Sequence, residues 1–160
     1  MPKTQKELDK IITEIQENYK KAWNSKDAKK VADFYDKNGV LVYVGKCAIY
    51  GRDAIAENLA KFINEPCEYK LTFESTIEAG DGEYIIHKDA IAENLAKFIN
   101  EPCEYKLTFE STVEAGDGEY IIHKGQTELA TEPKQICRYE QIFKRQPDGS
   151  YLIYHDECAA

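Results

Sequence analysis

The sequence lacks the features that mark a membrane or nucleic-acid-binding protein. No stretch approaches the roughly 18 consecutive apolar residues that favour a membrane-spanning helix, and the first six residues, MPKTQK, contain no apolar signal-peptide core. No run of Lys and Arg is long enough to follow a phosphate backbone, and the formal net charge is −8. We therefore expect a cytoplasmic protein with neither a membrane nor a nucleic acid as partner.

Motifs for metals and common cofactors are also missing. The five cysteines show no C-x-x-C spacing, and Cys67 and Cys103 are copies of one position. Free thiols in a reducing compartment are expected, with a disulfide framework as the alternative. No cluster of His, Cys, Asp and Glu has metal-ligand spacing, and no Gly-rich phosphate loop precedes a helix. The sequence thus predicts no metal and no cofactor.

What the chain does contain is a long tandem repeat. Residues 53–88 and 89–124 are two 36-residue copies that differ only at Ile77 and Val113. Solenoids need at least about three repeats, so two nearly identical copies indicate a duplicated segment within one domain. We expect a single domain over residues 1–160, with an underlying length of 124 residues when one copy is left out.

The order of predicted elements is typical of an α+β fold. Thr4 and Glu7 form a capping box before an apolar helical stripe that ends near Trp23. A short second helix with Tyr35 on its apolar face, a β-hairpin, and a third helix capped by Asp53 follow. Four long antiparallel strands complete the domain. The curved sheet should wrap around the N-terminal helices and leave a cavity between them.

The two copies compete for the same places in this scheme. Short connections are favoured, so we expect the first-copy helix, residues 53–64, and the second-copy strands, residues 105–131, to form the core. Residues 65–100 would then be an extra helix–hairpin copy. Because the copies are nearly identical and interchangeable, the extra one is expected to fold back on the sheet, with a swap into a neighbouring chain as the second outcome and a mobile segment as the third.

Four segments carry a resemblance to a known family. They are AWNSKD at residues 22–27, VADFY with VLV at residues 31–42, YGRDAI at residues 50–55, and the final strand pair around DGS at residues 148–150. In this order they resemble the SnoaL-like and ketosteroid-isomerase-like domains of the nuclear transport factor 2 superfamily. The resemblance implies a cone-shaped, cystatin-like pocket domain that commonly dimerises through its sheet. Such domains include isomerases, cyclases, dehydratases, ligand binders and assembly domains, so the fold alone assigns no reaction.

The resemblance also directs attention to residues of an active site. Steroid isomerases of this fold carry an acidic general base on the strand after the second helix, whereas residues 40–44 here read VLVYV. Tyr19 lies where the family often has a pocket tyrosine, and its hydroxyl could bond a ligand oxygen. His155 shares a strand face with Glu157 and is the candidate proton-transfer group. An isomerase-, cyclase- or dehydratase-type enzyme using Tyr19 and His155 is therefore the alternative function, with purely structural roles as the other interpretation of both residues.

The aromatic residues favour binding over catalysis. Trp23, Tyr35, Tyr43 and Tyr139 lie on elements that line the cavity in this fold, and they would suit a flat apolar ligand. Simple core filling is the alternative for each one. The expected function is therefore the binding of a small apolar ligand, or a role in assembly, by a homodimeric domain. An oligomerisation module like the association domain of a calmodulin-dependent kinase is a third hypothesis.

Overall fold

A computed structural model describes residues 2–61, 63, 73–75, 105–129 and 135–159. Within these ranges the helices are α1 (Gln5–Asn24), α2 (Ala28–Ala32) and α3 (Arg52–Ala60). The strands are β1 (Tyr35–Tyr43), β2 (Cys47–Tyr50), β3 (Phe73–Ser75), β4 (Tyr105–Ala115), β5 (Tyr120–Leu129), β6 (Gln135–Arg145) and β7 (Tyr151–Ala159). None of the described helices combines the length and the apolar character that a membrane crossing needs. The mixed α+β class predicted from the sequence is confirmed.

All seven strands belong to one sheet, in the order β2-β1-β7-β6-β5-β4-β3. Strands β4 to β7 pair antiparallel, as predicted for the four long strands. Strand β1 lies parallel to β7 and places Leu41 beside Asp156. The segment after α2 is therefore in direct register with the last strand of the chain.

The core lies between the helices and the inner face of the sheet. Helix α1 crosses β4, and α3 packs against β1 and α2. Buried apolar side chains from both layers fill the space, among them Leu8, Ile12, Val31, Ile55, Leu59, Ile121, Phe143 and Ile153. Each fully buried side chain of this size contributes about 1.5–3 kcal/mol relative to exposure. The layers are thus held together by apolar burial along their whole contact.

The start of α1 agrees with the sequence, but two other helix boundaries do not. Thr4 and Glu7 make both bonds of the predicted capping box. Helix α2 ends at Ala32, because the chain then joins the sheet, where the carbonyl of Phe34 accepts a bond from the N–H of Ile153. Tyr35 therefore projects from a strand and not from a helix.

The N-cap of the third helix lies two residues earlier than predicted. Its N-cap is Gly51 at φ +86°, and no side chain caps it, so the prediction of Asp53 as cap is wrong. A positive φ favours glycine because a Cβ would be strained there. The next residue, Arg52, fixes the helix start by donating from Nε to the carbonyl of Tyr35 at 2.7 Å.

Different copies of the repeat supply different parts of the fold. Helix α3 belongs to the first copy, and β4 with the first half of β5 belongs to the second, as the preference for short connections predicts. The short strand β3, also from the first copy, pairs parallel with β4, with Phe73 opposite Leu107. The predicted extra helix–hairpin copy otherwise lies outside the described residues.

Gly125 explains why the second copy supplies the hairpin. A Cβ at this position would lie 2.5 Å from the hydroxyl oxygen of Tyr139 and 2.6 Å from the carbonyl oxygen of Thr108. The backbone carbonyl cannot move aside, so only glycine fits. The first copy is followed by Asp89 at the equivalent place. An aspartate at this position is therefore expected to disfavour the first-copy hairpin in the sheet, and the swap between neighbouring chains stays a prediction.

Candidate ligand-binding cavity

A cavity of about 210 Å³ lies between the inner face of the sheet and the helices. All five aromatic residues singled out in the sequence line it, namely Tyr19, Trp23, Tyr35, Tyr43 and Tyr139. An apolar cavity of about 150 Å³ holds benzene, so this one has room for a somewhat larger molecule. The structure thus brings together residues from both ends of the chain around one space.

Each aromatic side chain is positioned by its element. Tyr19 and Trp23 are four residues apart on α1, which places them on one helix face with ring centroids 6.3 Å apart. Phe34 meets the Tyr19 ring edge-on at 5.5 Å. Tyr43 enters from β1 and donates from its hydroxyl to Oδ1 of Asn58 on α3 at 2.9 Å. These contacts hold the wall of the cavity in place.

The polar chemistry of the cavity centres on Asp156, whose side chain lines it and which is only 8% exposed. The hydroxyl of Tyr35 donates to Oδ2 of Asp156 at 2.5 Å. Gln141 donates from Nε2 to Oδ1 at 3.3 Å, and Gln16 in turn donates to Oε1 of Gln141 at 2.7 Å. Side chains from β1 and β6 therefore bond one carboxyl of β7, and α1 joins this network through Gln16.

Burial controls the protonation of this group of residues. It raises the pKa of the Asp156 carboxyl, while the bonds from Tyr35 and Gln141 act in the opposite direction. The pKa of the Tyr35 hydroxyl is raised well above its ordinary value by burial and by the nearby Asp156 and Tyr19, which also hydrogen-bonds to it. Burial likewise raises the pKa of the Tyr43 hydroxyl. The tyrosines therefore remain neutral at physiological pH.

A second polar group reaches the cavity through Tyr139. Its hydroxyl lies 3.1 Å from Nε2 of His123, and Nδ1 of that ring lies 2.9 Å from Oγ1 of Thr112. Phe109 packs edge-on against the imidazole at 4.5 Å. Burial lowers the pKa of His123 to about 4, so one ring nitrogen donates and the other accepts at neutral pH. His123 thus positions the Tyr139 side chain without itself lining the cavity.

His155 does not line this cavity, so the prediction that it shares a pocket with Tyr19 is wrong. Strict alternation from the buried Tyr151 and Ile153 would turn His155 inward. A register shift between β6 and β7 leaves Tyr154 as an extra residue, and this bulge reverses the alternation. Asp156 faces the cavity instead.

On the outer face, Nε2 of His155 lies 3.4 Å from Oε2 of Glu157, the partner predicted for it. The sequence reasoning therefore placed the pair correctly relative to each other but on the wrong side of the sheet. It missed Asp156, Gln141 and Gln16 as cavity residues. For Asp156 the signal would have been a polar residue at an inward position, which requires the position of the bulge. Gln16 and Gln141 are polar residues on the buried sides of α1 and β6, and the bulge does not affect them.

Nucleophilic and metal chemistry have little support in the described part of the chain. Burial raises the pKa of the Cys137 thiol to about 11 and also raises that of Cys158. Both thiols line the cavity, and protonated thiols are poor nucleophiles. Within those same ranges, no group of three or more His, Cys, Asp or Glu side chains is arranged to hold a metal ion.

Comparison with known proteins identifies the fold. No protein-family model and no curated protein matches the sequence. A nuclear transport factor 2-like protein of unknown function from Shewanella oneidensis MR-1 aligns with a TM-score of 0.58 and 15% identity, covering 95% of this chain and 98% of that one. A ketosteroid isomerase-like protein from Erwinia carotovora atroseptica gives 0.56 and 16%, covering 97% and 96%.

A domain of unknown function from Nostoc punctiforme, described as having a cystatin-like fold, aligns with a TM-score of 0.61 and 7% identity, covering 98% of this chain and 78% of that one. The fold is cystatin-like and nuclear transport factor 2-like. This result agrees with the resemblance seen in the sequence. Identities this low show the fold and not the activity.

Proposed function

We propose that this chain is a pocket-bearing domain that binds a small, largely apolar ligand. The observation that carries the proposal is the cavity of about 210 Å³ with Trp23, Tyr35, Tyr43 and Tyr139 in its wall. Ligand sites are mostly lined by apolar and aromatic side chains with a few placed polar groups. The volume is below the roughly 300 Å³ at which drug-sized pockets begin, which favours a molecule of one or two rings.

Indane, a neutral bicyclic hydrocarbon, is a suitable probe for this proposal. Trp23 is the single tryptophan of the chain and lines the cavity, so its fluorescence reports on occupancy. We expect a saturable change in emission and a rise in melting temperature with indane. Replacing Tyr43→Leu should weaken binding, whereas Tyr50→Leu, at a side chain that is 74% exposed on β2, should not. Titrations without saturation would contradict the proposal.

Acid–base catalysis is a second candidate, favoured by the position of Asp156. Steroid isomerases of this fold carry their base on the strand equivalent to β1, and Asp156 lies directly beside Leu41 of that strand. A carboxyl from the neighbouring strand thus reaches the same region. In this version of the enzyme hypothesis Asp156 replaces His155 as the proton-transfer group, and the hydroxyl of Tyr19 assists.

Proton exchange at the α-carbons of 2-indanone in D₂O, followed by NMR, tests this candidate. Acid–base catalysis is supported if the unmutated protein accelerates this exchange over the rate in buffer, Asp156→Asn loses the acceleration, and His155→Gln keeps it. Exchange at the buffer rate in the unmutated protein would leave binding as the function.

The outer face of the sheet supports the homodimer expected from the sequence. Register pairs place Val113, Ile122, Ile142, His155 and Val40 in one row across five strands. Each of these side chains is exposed or half-exposed, and Val113 is 44% exposed. Burial of this mostly apolar row against a second copy is the proposed interface.

A cytoplasmic location remains part of the proposal. Among the described residues, Cys47, Cys137 and Cys158 are free thiols. Unpaired cysteines are usual where the compartment keeps thiols reduced.

A further inference from the structure

Among the described residues, Asp156 has no positively charged hydrogen-bond or ion-pair partner of the kind that a buried carboxylate usually has. Its contacts are with the neutral side chains of Tyr35 and Gln141. Within the described residues no Lys or Arg pairs with it, and His155, on the opposite face of β7, acts on it only through space. Buried charges are normally paired, because an uncompensated one is costly to desolvate. No described cation therefore neutralises this carboxyl when it is ionised.

Aromatic rings are concentrated at the same end of the cavity. Tyr35 bonds the carboxyl directly, and Tyr19 bonds Tyr35. The Tyr43 hydroxyl is close enough to Asp156 for the carboxylate to influence its ionisation. An organic cation within about 6 Å of an aromatic ring face is attracted by the ring quadrupole. Carboxylate and rings together therefore offer what an ammonium group needs.

The cationic side chain that lines the described cavity, Arg138, does not occupy this place. It lies three residues from Gln141 along β6, and Gln141 is the register partner of Asp156. At about 3.3 Å per strand residue this is a separation of roughly 10 Å. Arg138 is also exposed, so solvent screens its charge.

We infer that the ligand of this cavity carries a protonated amine that sits among the tyrosine rings and pairs with the carboxylate of Asp156. The inference rests on the proposed binding function, because it names the ligand class of the same cavity. An apolar ring body would contact Trp23 and the aliphatic wall, while the amine replaces the missing counter-charge. The cavity would accordingly select amines over alcohols and hydrocarbons of the same shape.

Three probes with one ring system test this selection, namely 2-aminoindane, 2-indanol and indane. In calorimetry at about pH 7.5, we expect 2-aminoindane to bind at least about tenfold more tightly than 2-indanol. Asp156→Asn should reduce this ratio to about one. Glu157→Gln removes the same charge from the outer face of the same strand and should leave the ratio unchanged. Indane should bind all three proteins with similar affinity.

A pH series with the unmutated protein keeps the test valid if Asp156→Asn fails to fold. The preference for 2-aminoindane should decline as the pH falls toward the raised pKa of the Asp156 carboxyl, because protons then compete for the carboxylate. Tyr35 and Tyr43 stay neutral throughout this series because their pKa values are raised, and the pKa of His123 is lowered to about 4. The side chain of His155 lies on the outer face of the sheet, so His155→Gln should show the same decline.

The outcomes separate the two proposals. If indane binds but 2-indanol binds as tightly as 2-aminoindane, the amine inference is overturned and the binding function stands. A preference that persists in Asp156→Asn, or does not change with pH, also overturns the inference. If none of the three probes binds, both proposals fail together.

Discussion

The hydroxyl of Tyr35 donates a 2.5 Å hydrogen bond to Oδ2 of Asp156, across the junction between β1 and β7. The two residues are 121 positions apart in the sequence and meet because the first and last long strands run parallel. A bond from a hydroxyl to a carboxylate at this distance is at the strong end of protein hydrogen bonds. It therefore links the one cavity carboxyl among the described residues to the strand order of the sheet.

Removal of this donor should destabilise the protein. In Tyr35→Phe the carboxyl loses its shorter bond, and we expect the free energy of unfolding to fall by about 1–3 kcal/mol. The pKa of Asp156 should rise further, because the lost bond favours the ionised form. Urea unfolding and an NMR titration of the carboxyl measure both effects. Tyr50→Phe, at an exposed tyrosine, is the control, and equal stability of the two variants would contradict the prediction.

Asp156 should make the unliganded protein less stable as the pH rises. In the folded chain the pKa of Asp156 is raised above its ordinary 3.8. Between pH 3.8 and this raised pKa, the folded chain holds a proton that the unfolded chain has released. Unfolding then releases a proton, and the contribution of this group to stability falls as the pH increases through that window. The free energy of unfolding of Asp156→Asn should increase relative to that of the unmutated protein as the pH rises, as measured by urea unfolding. If Asp156→Asn instead becomes less stable than the unmutated protein as the pH rises, the carboxylate is stabilising and the prediction is wrong.

His123 should make the free energy of unfolding change with pH in the opposite direction. Its pKa is lowered from 6.5 to about 4 in the fold, so below pH 6.5 the unfolded chain binds more protons. Stability should therefore be lost as the pH falls from about 6.5 to about 4, by about 3 kcal/mol in total. His123→Gln should flatten this part of the stability profile, and His155→Gln should leave it in place. A profile that His123→Gln does not alter would speak against the buried neutral imidazole.

Gly125 should decide whether a hairpin copy can enter the sheet. Removal of residues 89–124 joins Lys88 to Gly125 and gives the first-copy hairpin the glycine it lacks. We expect this 124-residue chain to fold and to bind indane. The same deletion with Gly125→Asp should not fold, because a Cβ at that position meets Tyr139 and Thr108. Thermal unfolding followed by circular dichroism compares the two, and similar melting temperatures would refute the steric argument.

The proposed dimer should depend on the outer row of the sheet. Ile142 is the β6 member of this row, between Ile122 and His155. We expect Ile142→Lys to convert the dimer to a folded monomer in sedimentation velocity, because a buried lysine would be unpaired at the interface. Ile136→Lys, at a side chain that is 55% exposed near the start of β6, is the control. A monomeric unmutated protein would exclude the interface.

Sequence reasoning predicted what local patterns determine. The capping box at Thr4 and Glu7 gave the start of α1, and alternation gave the four long antiparallel strands. The lining aromatic residues were also predicted, because they lie on elements whose order was recognised. These features depend on neighbours a few residues away.

The features that were missed depend on pairing across the fold. The bulge at Tyr154 arises from the register of β7 against β6, and it exchanged His155 for Asp156 in the cavity. The early end of α2 arises where Phe34 accepts a bond from the N–H of Ile153. The conformational preferences of the local residues do not predict either contact. Sequence reasoning therefore placed His155 in the cavity, where the structure has Asp156.

The boundaries of the repeat make the two copies unequal at the positions that enter the fold. The duplicated block begins two residues after Gly51 and ends one residue before Gly125, so each of these glycines is present once. The second copy has His87 and Lys88 where the first has Gly51 and Arg52, and the first has Asp89 where the second has Gly125. Had the block extended over both glycines, two arrangements of nearly equal energy would compete, and the landscape would be degenerate. Breakpoints displaced by one or two residues are thus expected to favour one arrangement of the two copies over the other.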